Sequence, residues 1–454
     1  MLSAAELAAG VPGAVVAGDP AARFTSVCSD SRQVRAGCLF VALRGERFDG
    51  HAFVAEAARG GAAVALVEQP ADAPLTQVIV PNSRRALGLA AAAWRVRFRL
   101  PLIAVTGSNG KTTVTQMLAC ILGRAFGPGR RLATRGNLNN DIGLPLMLFE
   151  LAAGQKAAVL ELGMNHPGEI AYLAQLAQPT VALVNNAQRE HQEFLGSVEA
   201  TARENGAAIA ALPPEGVAVF PADDPCASIW RNLAGTRRIV DFARRADATV
   251  TAEYTLRADG SELEIATPAG LIRARLAVPG LHNVHNALAA TAAALAIDVA
   301  PAAIAGGLSM FTAVGGRGVR TRSAGGAELI DDTYNANPDS VRAAIDLLAA
   351  AAAPRILILG DMGEVGSRGA EYHREVGAYA RSRGIDALLG AGPAMREACA
   401  AFGAGAEHFT DVEALRERAQ ELARPGATVL VKGSRFMRME RLVAALGAAT
   451  AGAH

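Results

Sequence analysis

The sequence predicts an α/β protein of three domains built mainly on parallel sheets. Three observations carry that reading. The chain has 454 residues, too many for one ordinary core. Apolar runs of strand length alternate with helical patterns along most of it, which argues for doubly wound sheets. One such run, "LIAVTG", ends at a glycine-rich turn that opens a helix, the context of a phosphate loop.

The elements follow in order. In residues 1–84, "CLFVAL", "AAVALVE" and "QVIV" read as strands and the stretch near 51–59 as a helix, making a small α/β N-terminal domain. "VPNSRRALGLAAAAWRVRFRLP" is a helix-bearing connection into residues 85–312. After the glycine turn, Val114, Met117, Leu118, Ile121 and Leu122 recur at the spacing of a core-facing helix. "AAVLEL" at 157–162 and "TVALVN" at 180–185 read as buried strands, completing a central P-loop ATPase-like domain with a mostly parallel sheet. Between 248 and 280 the pattern changes to period two around Asp259-Gly260, a hairpin signal, so an antiparallel appendage is expected. "LHNVHNALAATAAALAI" is the helix that closes this domain. In residues 313–454, "RILILGDM", "DALLGAG" and "TVLVKG" read as strands, each followed by a helical pattern. This is a Rossmann-like C-terminal domain, whose ligands belong at the carboxyl ends of its strands. A short alanine-rich tail ends the chain.

Composition excludes some classes. A formal net charge of +1 gives no reason to expect nucleic acid or an anionic membrane as partner. No uncharged apolar run reaches the roughly 18 residues of a spanning helix, so no membrane span is expected. The start, "MLSAAELAAGVPGAVV", lacks the basic leader of a signal peptide. Five cysteines without C-x-x-C spacing read as buried or incidental thiols of a reducing cytoplasm. A cytoplasmic monomer is the expectation.

Of 44 basic residues only Lys111, Lys156 and Lys432 are lysine. One of these lies in "VTGSNGKTT" at 105–113. The usual phosphate-loop spacing, G-x-x-x-x-G-K-[ST], needs glycine where Val105 stands, so the stretch is either an altered loop or a turn that imitates one. The compact ammonium of a scarce lysine favours the loop. In such a loop, backbone N–H groups and the helix N-terminus hold phosphates, Lys111 reaches the β- and γ-phosphates, and the Thr112 hydroxyl meets Mg²⁺. Magnesium prefers oxygen ligands. Glu161, at the end of "AAVLEL", is a candidate, or else an edge glutamate in solvent. His191, after "TVALVN", is another, or else a surface histidine. In "RGNLNNDIGLP", Asn137, Asn139 and Asn140 hold turns or bind a polar ligand. In "DDTYNANPDS", Asp339 or Ser340 reads as the cap of a helix starting near Val341, which leaves Asp332, Asn335 and Asn337 unexplained.

The order "DSR", "GERFDGH", "TGSNGKTT", "RGNLNNDIGLP", "ELGMNHPGEI", "NN…H", "HNVHNA", "DDTYNANPDS", "GDMGEVG" and "KGS", from Asp30 to Glu440, resembles the Mur ligases of peptidoglycan synthesis. Among them it is most similar to those that add D-alanyl-D-alanine to UDP-N-acetylmuramoyl-tripeptide. The Asp-Asn-Pro-Arg motif expected of the diaminopimelate-adding relatives is absent. The resemblance implies a UDP-substrate domain, an ATP-binding core and a mobile C-terminal domain, with ATP and Mg²⁺ as cofactors. It also supplies a short loop of the form T-G-[ST]-x-G-K-[ST], with no glycine at position 105. By position it implies that Gly107, Ser108, Asn109, Gly110, Lys111, Thr112 and Thr113 hold ATP phosphates. Thr112, Glu161 and His191 serve magnesium, and Lys111, Glu161 and His191 are the catalytic set. Asn283 and Asn286 lie near adenine, while Arg317 and Asp332 reach ATP from the C-terminal side. Ser31 and Arg32 help hold the uridine diphosphate. Asn137, Asn139, Asn335 and Asn337, with Lys432, line the substrate cleft. The implied chemistry is an acyl phosphate formed from the tripeptide carboxylate and attacked by the dipeptide amine. Where related ligases carry a carbamylated lysine this chain has Asn205, so no carbamate is expected. Asn205 or Glu204 is expected to take over part of the positioning. A folylpolyglutamate-type ligase and a nucleotide-dependent switch are the alternatives; the asparagine motifs argue against the first and the two polar clusters in separate domains against the second.

Overall fold

The structure, a computed structural model, describes residues 1–45 and 48–447. Glu46 and Arg47 of the "GERFDGH" motif and the alanine-rich tail lie outside the described residues.

Four sheets are present among the described residues. The first has five strands in the order Val15–Ala17, Thr76–Ile79, Val64–Val67, Cys38–Val41, Ser26–Cys28; only the first pairing is antiparallel. The central sheet has six, all parallel: Arg238–Ile239, Val217–Val219, Val181–Val184, Leu102–Thr106, Ala157–Glu161 and Arg131–Ala133. A four-stranded sheet adds the appendage, Phe242–Ala243 followed by the antiparallel strands Val250–Arg257, Gly260–Thr267 and Gly270–Leu276. The last sheet runs Val319–Arg322, Glu328–Asp332, Thr428–Lys432, Arg355–Gly360, Ala387–Ala391, Ala406–Phe409, with only its first pairing antiparallel.

Side-chain alternation divides the core. From the central strand, Ile103 and Val105 face the helices Lys111–Phe126 and Leu281–Leu295, joined by Val114, Leu118, Ile121, Val284 and Leu288. Leu102 and Ala104 face the other way, into a core that runs through Leu87 and Ala91 to Leu39 and Leu66 of the first sheet. The helix Ser83–Arg95 therefore packs against both units, across the position expected to separate them. The C-terminal sheet has cores of its own on its two faces.

Three local expectations needed correction. The hairpin turn is Ala258-Asp259, one residue early, because Arg257 pairs with Gly260, which already belongs to the next strand. A second helix, Pro301–Met310, follows Leu281–Leu295 and had no sequence signal. The C-terminal helix starts at Pro338, three residues before Val341, because proline suits the first helical turn. Its cap is therefore Asn337, not Asp339 or Ser340. The five cysteines are free. No helix among the described residues is long and apolar enough to cross a membrane.

Candidate active site

Val105 lies inside the central strand and is fully buried, so the position where a longer loop would carry glycine is core, not loop. The turn runs from Gly107 to Gly110, whose φ angles are 125° and 84°. That is a region only glycine enters without strain. A Cβ at Gly107 would lie 3.0 Å from the Asn185 backbone nitrogen, and one at Gly110 would lie 2.4 Å from Asn286 Oδ1. The loop is thus seated on asparagines. Asn185 Nδ2 donates to Asn109 O (2.7 Å) and Asn286 Oδ1 (2.9 Å), and Asn186 Oδ1 accepts from Asn109 N at 2.9 Å. Gly107 N donates to Asn205 Oδ1 at 2.7 Å. Ser108 is buried against Gln188, its Oγ 3.2 Å from Gln188 O.

Lys111 opens the helix, followed by buried Thr112 and half-buried Thr113. Its ammonium donates to Gly107 O at 2.6 Å and Ser108 O at 3.1 Å, and pairs with Glu190 Oε1 at 3.0 Å. Thr112 Oγ1 donates to Glu161 Oε2 at 2.8 Å, while Asn139 Nδ2 donates to Glu161 Oε1 at 2.7 Å. Glu161 is 3 % exposed and its backbone N–H is bound by Thr134 Oγ1, so it is a fixed, buried acid rather than an edge residue in solvent. His191 is also buried in its side chain, with φ 50°, and Nε2 lies 3.7 Å from Glu190 Oε1. Glu364 Oε2 lies 2.5 Å from Nδ1, close enough for a strong charge contact though poorly angled for a hydrogen bond. The His191 imidazole holds the Glu364 carboxyl below its usual range, against the opposing effect of burial.

Glu364 belongs to the C-terminal unit, which forms the opposite wall. Asn109 and Asn337 exchange hydrogen bonds across the gap, at 3.3 and 3.0 Å. Arg189 reaches over to Asp339 (Nη2–Oδ1 2.6 Å) and Glu375 (Nη1–Oε2 2.6 Å) and stacks on the Tyr372 ring. Behind this wall Lys432, only 4 % exposed, binds Asp332 Oδ2 at 2.7 Å and Asn335 O at 2.8 Å. Arg317 lies over the Tyr334 ring, 4.0 Å from its centroid. Lys111 and Lys432 are thus both held in polar networks, one in each unit, whereas Lys156 is exposed.

Other candidates sit elsewhere. Asn286 is 4 % exposed and committed to Asn185 and Asn283 behind the loop. Asn283 Nδ2 donates to Pro279 O. Asn137 is exposed. Ser31 and Arg32 follow the edge strand of the first sheet, where Arg32 pairs with Asp30 at 2.7 Å; no hydrogen bond joins them to the cleft among the described residues. Asn205 is fixed under the loop, and Glu204 instead accepts the N–H groups of Gly168 and Ile170 at the start of the helix Glu169–Ala177. Glu204 therefore holds a helix end and not the phosphate loop.

Three family models match the chain: "Mur ligase family, catalytic domain" over residues 23–96, "Mur ligase middle domain" over 105–294 and "Mur ligase, glutamate ligase domain" over 316–435. The UDP-N-acetylmuramoyl-tripeptide–D-alanyl-D-alanine ligase of Escherichia coli is 41 % identical over 426 residues, 93 % of either chain. The chain belongs to the Mur ligase family. Two solved structures agree with this. MurF from Acinetobacter baumannii is 35 % identical, covers 98 % of both chains and superposes with a TM-score of 0.91. The MurF ligase of Thermotoga maritima in complex with ADP is 26 % identical, covers 94 % of this chain and 97 % of that one, with a TM-score of 0.79. As a Mur ligase the protein is an ATP-dependent ligase, and the α/β architecture extends through the whole chain.

The donor set of this Mur ligase suits a hard cation. Glu161 and Thr112 offer oxygen at one point and His191 Nε2 faces Glu190 at another. Among the described residues no group of three or more His, Cys, Asp or Glu side chains forms a closed metal cage. Magnesium needs none, since it completes its shell with phosphate oxygens and water. Asn185, Asn186 and Glu364 lie in the quoted motifs "NN…H" and "GDMGEVG" but were given no role, and Glu190 and Arg189 were missed. For those two the run "NNAQREH" held the signal, charged residues packed directly before a candidate histidine.

Proposed function

We infer that the protein joins D-alanyl-D-alanine to UDP-N-acetylmuramoyl-tripeptide, with ATP converted to ADP and phosphate, in peptidoglycan synthesis. One observation carries the substrate assignment: the 41 % identity to the Escherichia coli ligase of that name, over 93 % of each chain. The geometry supports the reaction type, because a phosphate loop faces a second unit across a narrow cleft bridged by Asn109 and Asn337.

In this reading Gly107–Thr113 cradle the ATP phosphates and Lys111 neutralises charge on the γ-phosphoryl group. A tripeptide carboxylate oxygen attacks the γ-phosphorus, the bond to the bridging oxygen breaks, and ADP leaves an acyl phosphate. The dipeptide amine then attacks the acyl carbon and loses a proton to water, and the C–O bond breaks so that phosphate leaves with that oxygen. Thr112, Glu161 and His191 would hold Mg²⁺, which would supply charge neutralisation when bound. Asp332 and Arg317 approach ATP from the C-terminal unit, and Asn283 and Asn286 back the nucleotide side. Ser31 and Arg32 meet the uridine diphosphate, while Asn137, Asn139, Asn335 and Asn337 line the substrate path. Residues 1–84, 85–312 and 313–454 act as substrate, ATP and closing units. Closure around Arg189 excludes the water that hydrolyses an acyl phosphate.

Phosphate release is the test. With ATP, Mg²⁺ and UDP-N-acetylmuramoyl-tripeptide present, addition of D-alanyl-D-alanine is expected to start stoichiometric release of phosphate and appearance of the pentapeptide mass. Turnover indifferent to the dipeptide would instead indicate a nucleotide-dependent switch.

A further inference from the structure

We propose that Glu190 is a ligand of the divalent cation that accompanies the nucleotide phosphates, its carboxylate being held in place by Lys111. The proposal rests on the ATP-ligase reading and extends it to a residue outside the set that the sequence motifs nominate.

Glu190 lies between the strand Val181–Val184 and the short helix Gln192–Leu195 and is 7 % exposed. Its two oxygens lie 3.0 and 3.3 Å from Lys111 Nζ. The same ammonium also binds the carbonyls of Gly107 and Ser108. Phosphates entering the loop claim that ammonium. A buried carboxylate is then left beside phosphate oxygens of the same sign, which is costly unless a cation lies between them.

His191 indicates where that cation goes. The Glu364 carboxylate lies 2.5 Å from Nδ1. A carboxylate beside one ring nitrogen, with the other turned to a second carboxylate, is an arrangement shared by metal-ligating histidines. Nε2 lies 3.7 Å from Glu190 Oε1, too far for a hydrogen bond between them. Ligand distances near 2.1 Å let one cation bridge them, with phosphate and water completing its shell. Asn205 offers no substitute, because its amide is neutral and spent on Gly107 N.

The experiment is a Mn²⁺ titration of the full-length protein with ADP, read by electron paramagnetic resonance of free Mn²⁺. Glu190→Gln keeps the shape and a hydrogen bond to Lys111 but removes the charge, and Glu190→Asp keeps the charge. Mn²⁺ affinity is expected to fall at least about tenfold in Glu190→Gln and to be partly restored in Glu190→Asp. ADP without metal should bind Glu190→Gln as tightly as the parent or more so, because Lys111 is freed. Mn²⁺ affinity unchanged in Glu190→Gln, with Glu161→Gln weakened as a control, overturns the proposal. A failed ligase reading shows itself separately, as a parent protein in which ADP creates no Mn²⁺ site. Thermal unfolding of both variants identifies any loss that is merely structural, and Glu190→Asp carries the test if Glu190→Gln does not fold.

Discussion

At Asn205 a neutral amide, 1 % exposed, accepts the Gly107 N–H at 2.7 Å and anchors the phosphate loop from below. Alanine there would leave a buried donor without a partner, a loss of about 1–3 kcal/mol. Asn205→Ala should therefore lower the melting temperature and raise the KM for ATP; an unchanged KM would show that the loop holds its shape without this bond. Because no lysine lies between Lys156 and Lys432, activity should also be indifferent to added bicarbonate, and a bicarbonate requirement would contradict the role given to Asn205. At this scale the sequence was readable where a residue's place follows from its element. Lys111 follows from the turn before a helix and Glu161 from the end of a strand. Glu190 and Arg189 lie in coil, where no period tells which way a side chain points. Asn286 belongs to a recognisable motif, yet its orientation behind Gly110 depends on contacts with a segment a hundred residues away.

The helix Lys111–Phe126 links the core to the loop, since its first residue is Lys111 and its buried face includes Val114, Leu118, Ile121 and Leu122. The helix Pro301–Met310 lies against it so closely that a Cβ at Gly307 would come 2.4 Å from Ile121 Cα. Gly307→Ala must push the two backbones apart, and overpacking of this kind costs about 1–3 kcal/mol. Lowered thermal stability with weakened ATP binding is the expected result, measured by calorimetry; ATP affinity equal to the parent's would mean that the loop end of the helix does not follow the displacement. This second helix escaped sequence reading because "PAAIAGGLSM" is small and apolar all round and shows no amphipathic stripe. The inner parallel strands were legible for the opposite reason, since they are buried on both faces and read as unbroken apolar runs, whereas the short edge strands Ser26–Cys28, Arg131–Ala133 and Ala406–Phe409 were not read.

Across the whole molecule, the ionic contacts between the central and C-terminal units centre on Arg189. Burial disfavours its charge, but Asp339 and Glu375 more than offset this and raise its pKa. In return Arg189 holds the Glu375 carboxyl below the ordinary value of 4.5. A depressed carboxylate contributes fully above its ordinary value, and its contribution is lost as pH falls through the lowered one. Glu364, held down by His191, has the same sign. Acidification below the ordinary glutamate range should therefore open the cleft, and Arg189→Ala should open it at neutral pH. Small-angle scattering would report either as a larger radius of gyration; a radius unaffected by both would remove Arg189 from the account of closure. The three-unit plan was legible from strand counts, whereas these cross-unit contacts were not, because they join residues 150 and 186 positions apart.

The central claim, that this cleft activates a carboxylate with ATP before joining it to an amine, is tested most directly by isotope transfer. UDP-N-acetylmuramoyl-tripeptide labelled with ¹⁸O in its terminal carboxylate is turned over with ATP and D-alanyl-D-alanine, and the released phosphate is analysed by mass spectrometry. The account predicts one ¹⁸O in each phosphate. Phosphate free of label would contradict it.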